Sequence, residues 1–304
     1  MKKILFTAGI GNTDRPERWE FVLHLWERLA AVCETLGHHT VVAHHPCLQA
    51  VTHACIRAGV EEAAKIMRAF KPDLLFIWNG NSDGDEKILA AVEPLGIKSV
   101  YAELGWFPQA GHCYFDLEGV NAKSSLSRPD YSRPTDEQRK ALEKFRGVYR
   151  MDKPPSTEAH HLIALQIETD SNIQNSRYVC MADFVFDALY AIGKTDLPIL
   201  VRKHPGQPDV NLRDLDGFQF DRNPDSYASI MGAASVHAVN STILLEAAML
   251  GKRIYPYGRG IIHPQVGNVD GLLCALLERQ LQWGELAMIE RMKTYPVFQA
   301  LDLG

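Results

Sequence analysis

Two carboxylates share one predicted turn, Gln166-Ile-Glu168-Thr-Asp170-Ser-Asn172. A carboxylate at a strand end can serve as general base, as nucleophile, or as electrostatic partner of an oxocarbenium-like centre. The spacing suits one acid reaching outward while the other orients it. The same residues also read as a helix cap, with Asp170 or Ser171 opening the next helix. Glu103 is a third acid; it follows a predicted strand and precedes Trp106 and Phe107. Poor solvation beside aromatics raises a carboxyl pKa and suits base work, whereas a surface turn residue would do nothing. Lys203-His204-Pro205 also follows a strand. Lys203 offers a point charge to a phosphate, and His204 a donor to a phosphate or sugar oxygen. The plainer alternative is a solvated strand end with Pro205 forming a turn.

The stretch from Val236 to Lys252 is the clearest strand-turn-helix signal. Val236 to Val239 predicts a short buried strand, and Asn240-Ser241-Thr242 a polar turn. Ile243 to Leu250 then predicts a helix that Gly251 ends. Such a turn presents unpaired N–H groups and the positive end of a helix dipole, which suits a phosphate. Many capped turns without a ligand look the same.

These residues need strand ends to stand on. Apolar runs at Lys3–Ala8, Thr40–Ala43, Asp73–Trp78 and Lys98–Ala102 alternate with helical periodicity at Pro16–Leu36, Ala58–Phe70 and Gly84–Leu95. That alternation predicts right-handed βαβ units and a parallel sheet. A long irregular segment follows, through Glu103-Leu-Gly-Trp-Phe-Pro108 to Ser124-Ser125-Leu126, and then a charged helix at Arg133–Phe145. Met151-Asp-Lys-Pro-Pro-Ser-Thr157 reads as a linker. A second alternation starts at His161, with strands at His161–Gln166, Pro198–Arg202 and Arg253–Tyr255 around the stretch above. The expected architecture is α/β: two Rossmann-like domains, 1–150 and 151–304, with parallel sheets facing a central cleft. Ligands bind at the carboxyl ends of such strands. Five polar clusters fall there: Gly9–Asp14, Glu103, Glu168–Asn172, Lys203-His204 and Asn240–Thr242.

The chain has 304 residues, 46% hydrophobic and 23% charged, with net charge −5. That composition is ordinary for globular domains and supplies no broad basic field for nucleic acid. The six cysteines form no CxxC pair and read as reduced thiols of a cytoplasmic protein. No run approaches the roughly 18 apolar residues of a membrane span. Gly9 and Gly11 begin a GxGxxG pattern whose third position is Asp14, so a dinucleotide fingerprint is rejected. His38-His39, His44-His45 and His53 lack metal-ligand spacing, and Asp83-Gly-Asp85 reads as a helix cap. No metal and no cofactor are expected.

Taken in order, several of these segments resemble one family. They are Trp78-Asn-Gly80, Glu103–Pro108, Asp116-Leu-Glu-Gly-Val-Asn121 with Ser124-Ser125-Leu126, Gln166–Ile173, Arg202-Lys-His-Pro205, and Asn240-Ser-Thr-Ile-Leu-Leu-Glu246 with Gly251-Lys252. The family is that of bacterial capsule polysaccharide biosynthesis proteins, including the Kdo transferases of capsule export. The resemblance spans about residues 75 to 255 and implies a metal-independent GT-B glycosyltransferase using a nucleotide-activated sugar, CMP-Kdo in the Kdo-transferring members. By that resemblance Lys203, His204, Asn240, Ser241 and Thr242 bind donor or phosphate, and Glu246 binds the donor or positions its helix. Asp170, then Glu103, is the catalytic carboxylate. The acceptor, a glycan or glycolipid, falls to the first domain at Gly9, Gly11, Asn12, Asn79 and Asn121. The resemblance is compatible with peripheral association at the inner membrane face within a polysaccharide assembly complex. Two other functions fit the same architecture: a nucleotide-sugar 2-epimerase, and a non-catalytic sugar- or nucleotide-binding subunit.

Overall fold

A computed structural model of the chain describes residues 1–11, 19–49, 55–150, 159–170, 173 and 176–304. The linker expected at 151–157, and Asn12, Asp14 and His53, lie outside the described residues.

The chain forms two compact units, Met1–Ser125 with Arg279–Gly304, and Leu126–Glu278. The first is built on a seven-stranded sheet. Its parallel strands are β1 (Lys3–Ala8), β2 (His39–His44), β3 (Cys55–Arg57), β4 (Leu74–Trp78) and β5 (Lys98–Leu104). Two antiparallel strands, β6 (His112–Asp116) and β12 (Leu281–Gln282), complete it, in the order β12-β6-β5-β4-β1-β2-β3. β4 is buried along its whole length and β1 is buried after Lys3, as parallel strands covered on both faces must be. Helix α1 (Glu20–Thr35) lays Val22, Trp26 and Leu29 on one face of the sheet. Helices α2 (Val60–Phe70) and α3 (Asp83–Val92) cover the other with Met67 and Ile88.

The second unit has a five-stranded parallel sheet of order β11-β10-β7-β8-β9. Its strands are β7 (His160–Ala164), β8 (Ile199–Arg202), β9 (Gln219–Phe220), β10 (Ala233–Ala238) and β11 (Arg253–Pro256). Its helices are α4 (Asp136–Arg150), α5 (Met181–Ile192), α6 (Ser226–Gly232), α7 (Ile243–Met249) and α8 (Val269–Arg279). Phe184, Val185 and Ala188 of α5 pack on Ile163 and Val201 of the sheet.

The division differs from a boundary after residue 150. Helix α4 packs within the second unit: Arg146 donates to the Met249 carbonyl at 3.2 Å and pairs with Asp270 at 2.7 Å. The chain end returns to the first unit through α9 (Ile289–Thr294) and α10 (Pro296–Ala300). There Tyr295 and Phe298 join the cluster of Phe6, Trp26, Phe76 and Phe115. The irregular segment after β5 also contains a strand, β6, which pairs with Tyr101–Leu104. No described helix is long and apolar enough to cross a membrane.

Candidate functional site

Strand order marks one crevice in each sheet. In the first, β1 lies between β2 and β4; in the second, β7 lies between β8 and β10. Where the order reverses, the loops after neighbouring strands leave in opposite directions, and a ligand can enter between them.

In the second unit the loops after β7 and β10 meet at that point. The Gln166 amide donates to Asn240 Oδ1 at 2.8 Å, and the Asn240 N–H donates back to Gln166 Oε1 at 3.0 Å. Asn240 Nδ2 donates to the Arg259 carbonyl at 2.6 Å, which adds the loop after β11. Gln166 is buried, so this closed amide pair fixes the two turns in poorly solvated surroundings where its bonds count most.

The acid turn is fixed separately. Glu168 accepts from the Met181 N–H at 2.7 Å, capping α5, and from Gln207 Nε2 at 3.0 Å. Gln207 Oε1 in turn accepts the Glu168 N–H at 2.8 Å. Both Glu168 oxygens therefore hold structure, on the turn that carries Asp170. Asp170 shapes that turn through its backbone, its N–H on the Ile167 carbonyl and its carbonyl receiving Ile173.

His204 lies within electrostatic reach of Asp170. Burial lowers the His204 pKa below the usual histidine value, and the Asp170 charge opposes that shift. The Gly206 N–H donates to His204 Nδ1 at 3.0 Å, which leaves Nε2 as the outward nitrogen. Gly206 approaches closely here: a Cβ would stand 2.9 Å from Ile167 Cδ1 and 3.2 Å from His204 Nδ1, and Ile167 would have to shift.

The other donor-side candidates divide. Ser241 Oγ receives the Ile243 N–H at 3.4 Å, and Thr242, at the cap position of α7, caps nothing with its hydroxyl. Lys203 Nζ sits 4.4 Å over the Phe220 ring, toward the sheet edge. Glu246 points its charge at Tyr149 of α4, whose phenol is pushed up by burial first and by Glu246 second.

The first unit presents a different ridge. Asn79, at φ +64°, donates its side-chain amide to Glu103 Oε2, and the Leu104 N–H donates to Glu103 Oε1 at 2.9 Å. Gly9 turns at φ +66° against Trp19. Gly11 lies directly on Gly84: a Cβ on Gly84 would be 2.3 Å from Gly11 Cα. Ser82 caps α3 by accepting the Asp85 N–H at 3.1 Å, so Asp83 and Asp85 stand in the helix's first turn and not in a capping turn before Glu86. Burial raises the Asp85 carboxyl to about 6 against bonds from Ser82 and Gly80.

The segment after β6 is organised by a residue whose role the sequence did not reveal. Asp116 is fully buried and accepts from Ser124 Oγ at 2.8 Å, Ser125 Oγ at 2.6 Å and the Glu118 N–H at 2.8 Å. This brings Asn121, at φ +53°, onto the Tyr114 hydroxyl at 3.1 Å, and Lys123 Nζ to Asn81 Oδ1 at 2.9 Å. Tyr114 stacks on Trp106 at 4.3 Å, and Gln280 holds the Trp106 and Phe107 amides at 2.6 and 2.8 Å.

Within each unit the structure thus gathers most of the expected residues. Asp170, His204, Asn240, Ser241 and Thr242 share the second ridge; Glu103, Asn79 and Asn121 share the first with Gly9 and Gly11. Lys203 and Glu246 stand to either side of the second ridge. Gln166, Gln207 and Arg259 were not singled out as site residues; a buried amide at a strand end and an arginine between two glycines were the available signals. Among the described residues no three His, Cys, Asp or Glu side chains are grouped to hold a metal.

No family model matches the sequence, and no curated protein matches it. Solved structures do. The beta Kdo 2,7 transferase of Thermosulfurimonas dismutans KpsC matches 95% of this chain and 100% of its own, with TM-score 0.59 and 13% identity. The beta Kdo 2,4 transferase of the same protein matches 89% of each chain, with TM-score 0.57 and 13% identity. The chain has the α/β, GT-B-like fold of those capsule transferases, with two Rossmann-like units.

Proposed function

We propose that this chain is a glycosyltransferase that takes a nucleotide-activated sugar, with a CMP-Kdo-like donor favoured, and delivers it to a glycan or glycolipid in capsule or surface polysaccharide assembly. The observation that carries this reading is the second unit's switch point. There Asp170, Ser241 and Thr242 stand on turns tied together by Gln166 and Asn240, and His204 stands on the loop that Gln207 joins to Glu168, within electrostatic reach of Asp170. Transfer of a sugar from phosphate requires donors on the departing oxygens and a carboxylate near the reacting carbon. His204 Nε2 and the Ser241 and Thr242 hydroxyls supply the donors, with Lys203 alongside, and Asp170 supplies the carboxylate. Glu246 positions α7. Glu103, oriented by Asn79, is assigned with Gly9, Gly11 and Asn121 of the first unit to the acceptor side; Asn12, assigned with them, lies outside the described residues. The transfer step uses no metal, and the enzyme works at the inner face of the membrane. The likeness of fold to the KpsC transferases supports the glycosyltransferase reading.

A thermal-shift screen of CMP, CDP, UDP, GDP and dTDP tests it. A ligand at 100 times its Kd stabilises the folded state by about 2.7 kcal/mol. CMP is expected to raise the melting temperature most. A response to UDP alone would replace the donor, and no response to any nucleotide would remove the reading. Incubation with nucleotide sugar and no acceptor separates the epimerase, which would return an epimerised or hydrolysed sugar. Unchanged cellular function in Asp170→Ala and Glu103→Ala would leave only a binding subunit.

A further inference from the structure

Four basic residues end or closely follow strands of the second unit's sheet, and two have partners. Arg202 Nη1 donates to Asp221 at 2.6 Å and to the Asn223 carbonyl at 2.8 Å. The Lys203 ammonium rests over Phe220 at 4.4 Å. Arg222, after β9, and Arg259, after β11, are exposed, and neither guanidinium has a hydrogen-bond, ion-pair or ring partner among the described residues; of the two, Arg259 is on the loop bonded to the Asn240 turn.

The backbone that carries Arg259 is, by contrast, closely held. The Tyr257 N–H reaches the Ala238 carbonyl at 3.0 Å, and the Gly258 N–H reaches the Val239 carbonyl at 2.8 Å. Asn240 Nδ2 donates to the Arg259 carbonyl at 2.6 Å, and Ser127 Oγ to the Gly260 carbonyl at 2.7 Å. Gly258 and Gly260 are both buried. A Cβ on Gly258 would meet Val239 Cγ1 at 2.6 Å, and one on Gly260 would meet Asn240 Cβ at 2.8 Å. The strap therefore lies against the Asn240–Thr242 turn at a separation only glycine permits, and presents one side chain to solvent between two that are absent.

We propose that Arg259 is the anion-recognition residue of the donor site, taking two oxygens of a phosphate or a sugar carboxylate on its planar fork. This rests on the donor reading above and adds a specificity element to it: the site selects an anionic nucleotide sugar. A guanidinium matches such oxygen pairs in a way an ammonium does not. The fixed backbone sets where the side chain starts beside the Asn240 turn, while the exposed guanidinium gives up rotamer freedom when the ligand arrives.

The test is calorimetric binding of cytidine, CMP and free Kdo, with the KM for CMP-Kdo, to wild type, Arg259→Lys and Arg259→Gln. The side chain is exposed, so equal melting temperatures are expected for the three proteins. Arg259→Gln is expected to lose at least tenfold in CMP affinity with cytidine unchanged if the partner is phosphate. It keeps CMP affinity but loses tenfold in Kdo affinity and in KM for CMP-Kdo if the partner is the carboxylate. Arg259→Lys falls between. Values within twofold of wild type on every probe would overturn the inference while leaving the donor reading standing. A wild-type protein that binds no nucleotide would remove both.

Discussion

The two units use the same crevice of the same fold in opposite ways. At the first unit's switch point, between β1 and β4, backbone lies on backbone, with Gly11 pressed against Gly84. At the second unit's, between β7 and β10, side chains span the gap, and the Gln166–Asn240 amide pair holds two turns in register. The first ridge fixes its loops from below, through the buried Asp116 and Gln280. The second fixes its turns from the flanks, through Glu168, Gln207 and Arg202, and carries His204, Thr242 and Arg259 on that frame. The lesson is that a strand-end position does not by itself make a site. In both, the braces differ from the residues assigned chemistry; what distinguishes the two is that backbone fills the first crevice while side chains span the second.

That contrast can be broken most directly at Asp170. Asp170→Asn keeps the backbone bonds of the turn and removes the charge. It should lower kcat by about 10³-fold with an unchanged melting temperature; a loss under tenfold would mean the second ridge only binds. Gly84→Ala probes the first ridge. The added methyl has backbone, not a movable side chain, in its way. The variant should lose about 3 kcal/mol in urea denaturation while the second unit's affinity for nucleotide is retained; an unchanged stability would show that the contact is slack.

A pH effect belongs to the second unit. His237 is buried between Ser235, at 2.9 Å, and Tyr257, at 3.0 Å. Burial first, and the neighbouring His161 second, lower its pKa from 6.5 to about 4. The unfolded chain then binds a proton that the folded chain refuses, so stability is full above the unfolded value and is lost as pH falls through that window. Between about pH 6.5 and pH 4.5 the loss from this group is about 2 kcal/mol. Asp85 works in the other sense, since a carboxyl raised to about 6 favours the folded state more as pH falls. His237→Asn should flatten the acid slope by that amount, and an identical slope would exclude His237 as its source. The smallest effect serves as a control: a methyl added at Gly147, inside α4, would have nothing within 4 Å of it. Gly147→Ala should therefore stabilise by about 0.5–1 kcal/mol, opposite in sign to Gly84→Ala.

The sequence carried the central parallel strands well, because a strand buried on both faces is an uninterrupted apolar run, and β1, β4, β7 and β10 are each followed by a helix. It did not carry β3, β6, β9 or β12. β6 owes its place to pairing with Tyr101–Leu104, and β9 is two residues long. The tail was unreadable for a related reason. Nothing local in Tyr295 or Phe298 says that they pack on Phe115, 180 residues earlier in the chain for Tyr295. At the candidate site, residue type and strand-end position together pointed to Asp170, His204 and Asn240–Thr242. The braces did not stand out, because Gln166, Gln207 and Asp116 are ordinary polar residues until partners distant in sequence make them otherwise. Lys203 shows the converse: its type suggested a phosphate ligand, and an aromatic ring on the neighbouring strand drew its ammonium aside.

The most direct measurement is a crystal structure of the protein with CMP. The phosphate is expected within hydrogen-bond distance of His204 Nε2 and the Ser241 or Thr242 hydroxyl, at the carboxyl ends of β7 and β10. A phosphate bound on the first unit, beside Asn79 and Glu103, or on any surface of the second unit away from those residues, would contradict the assignment of the donor site.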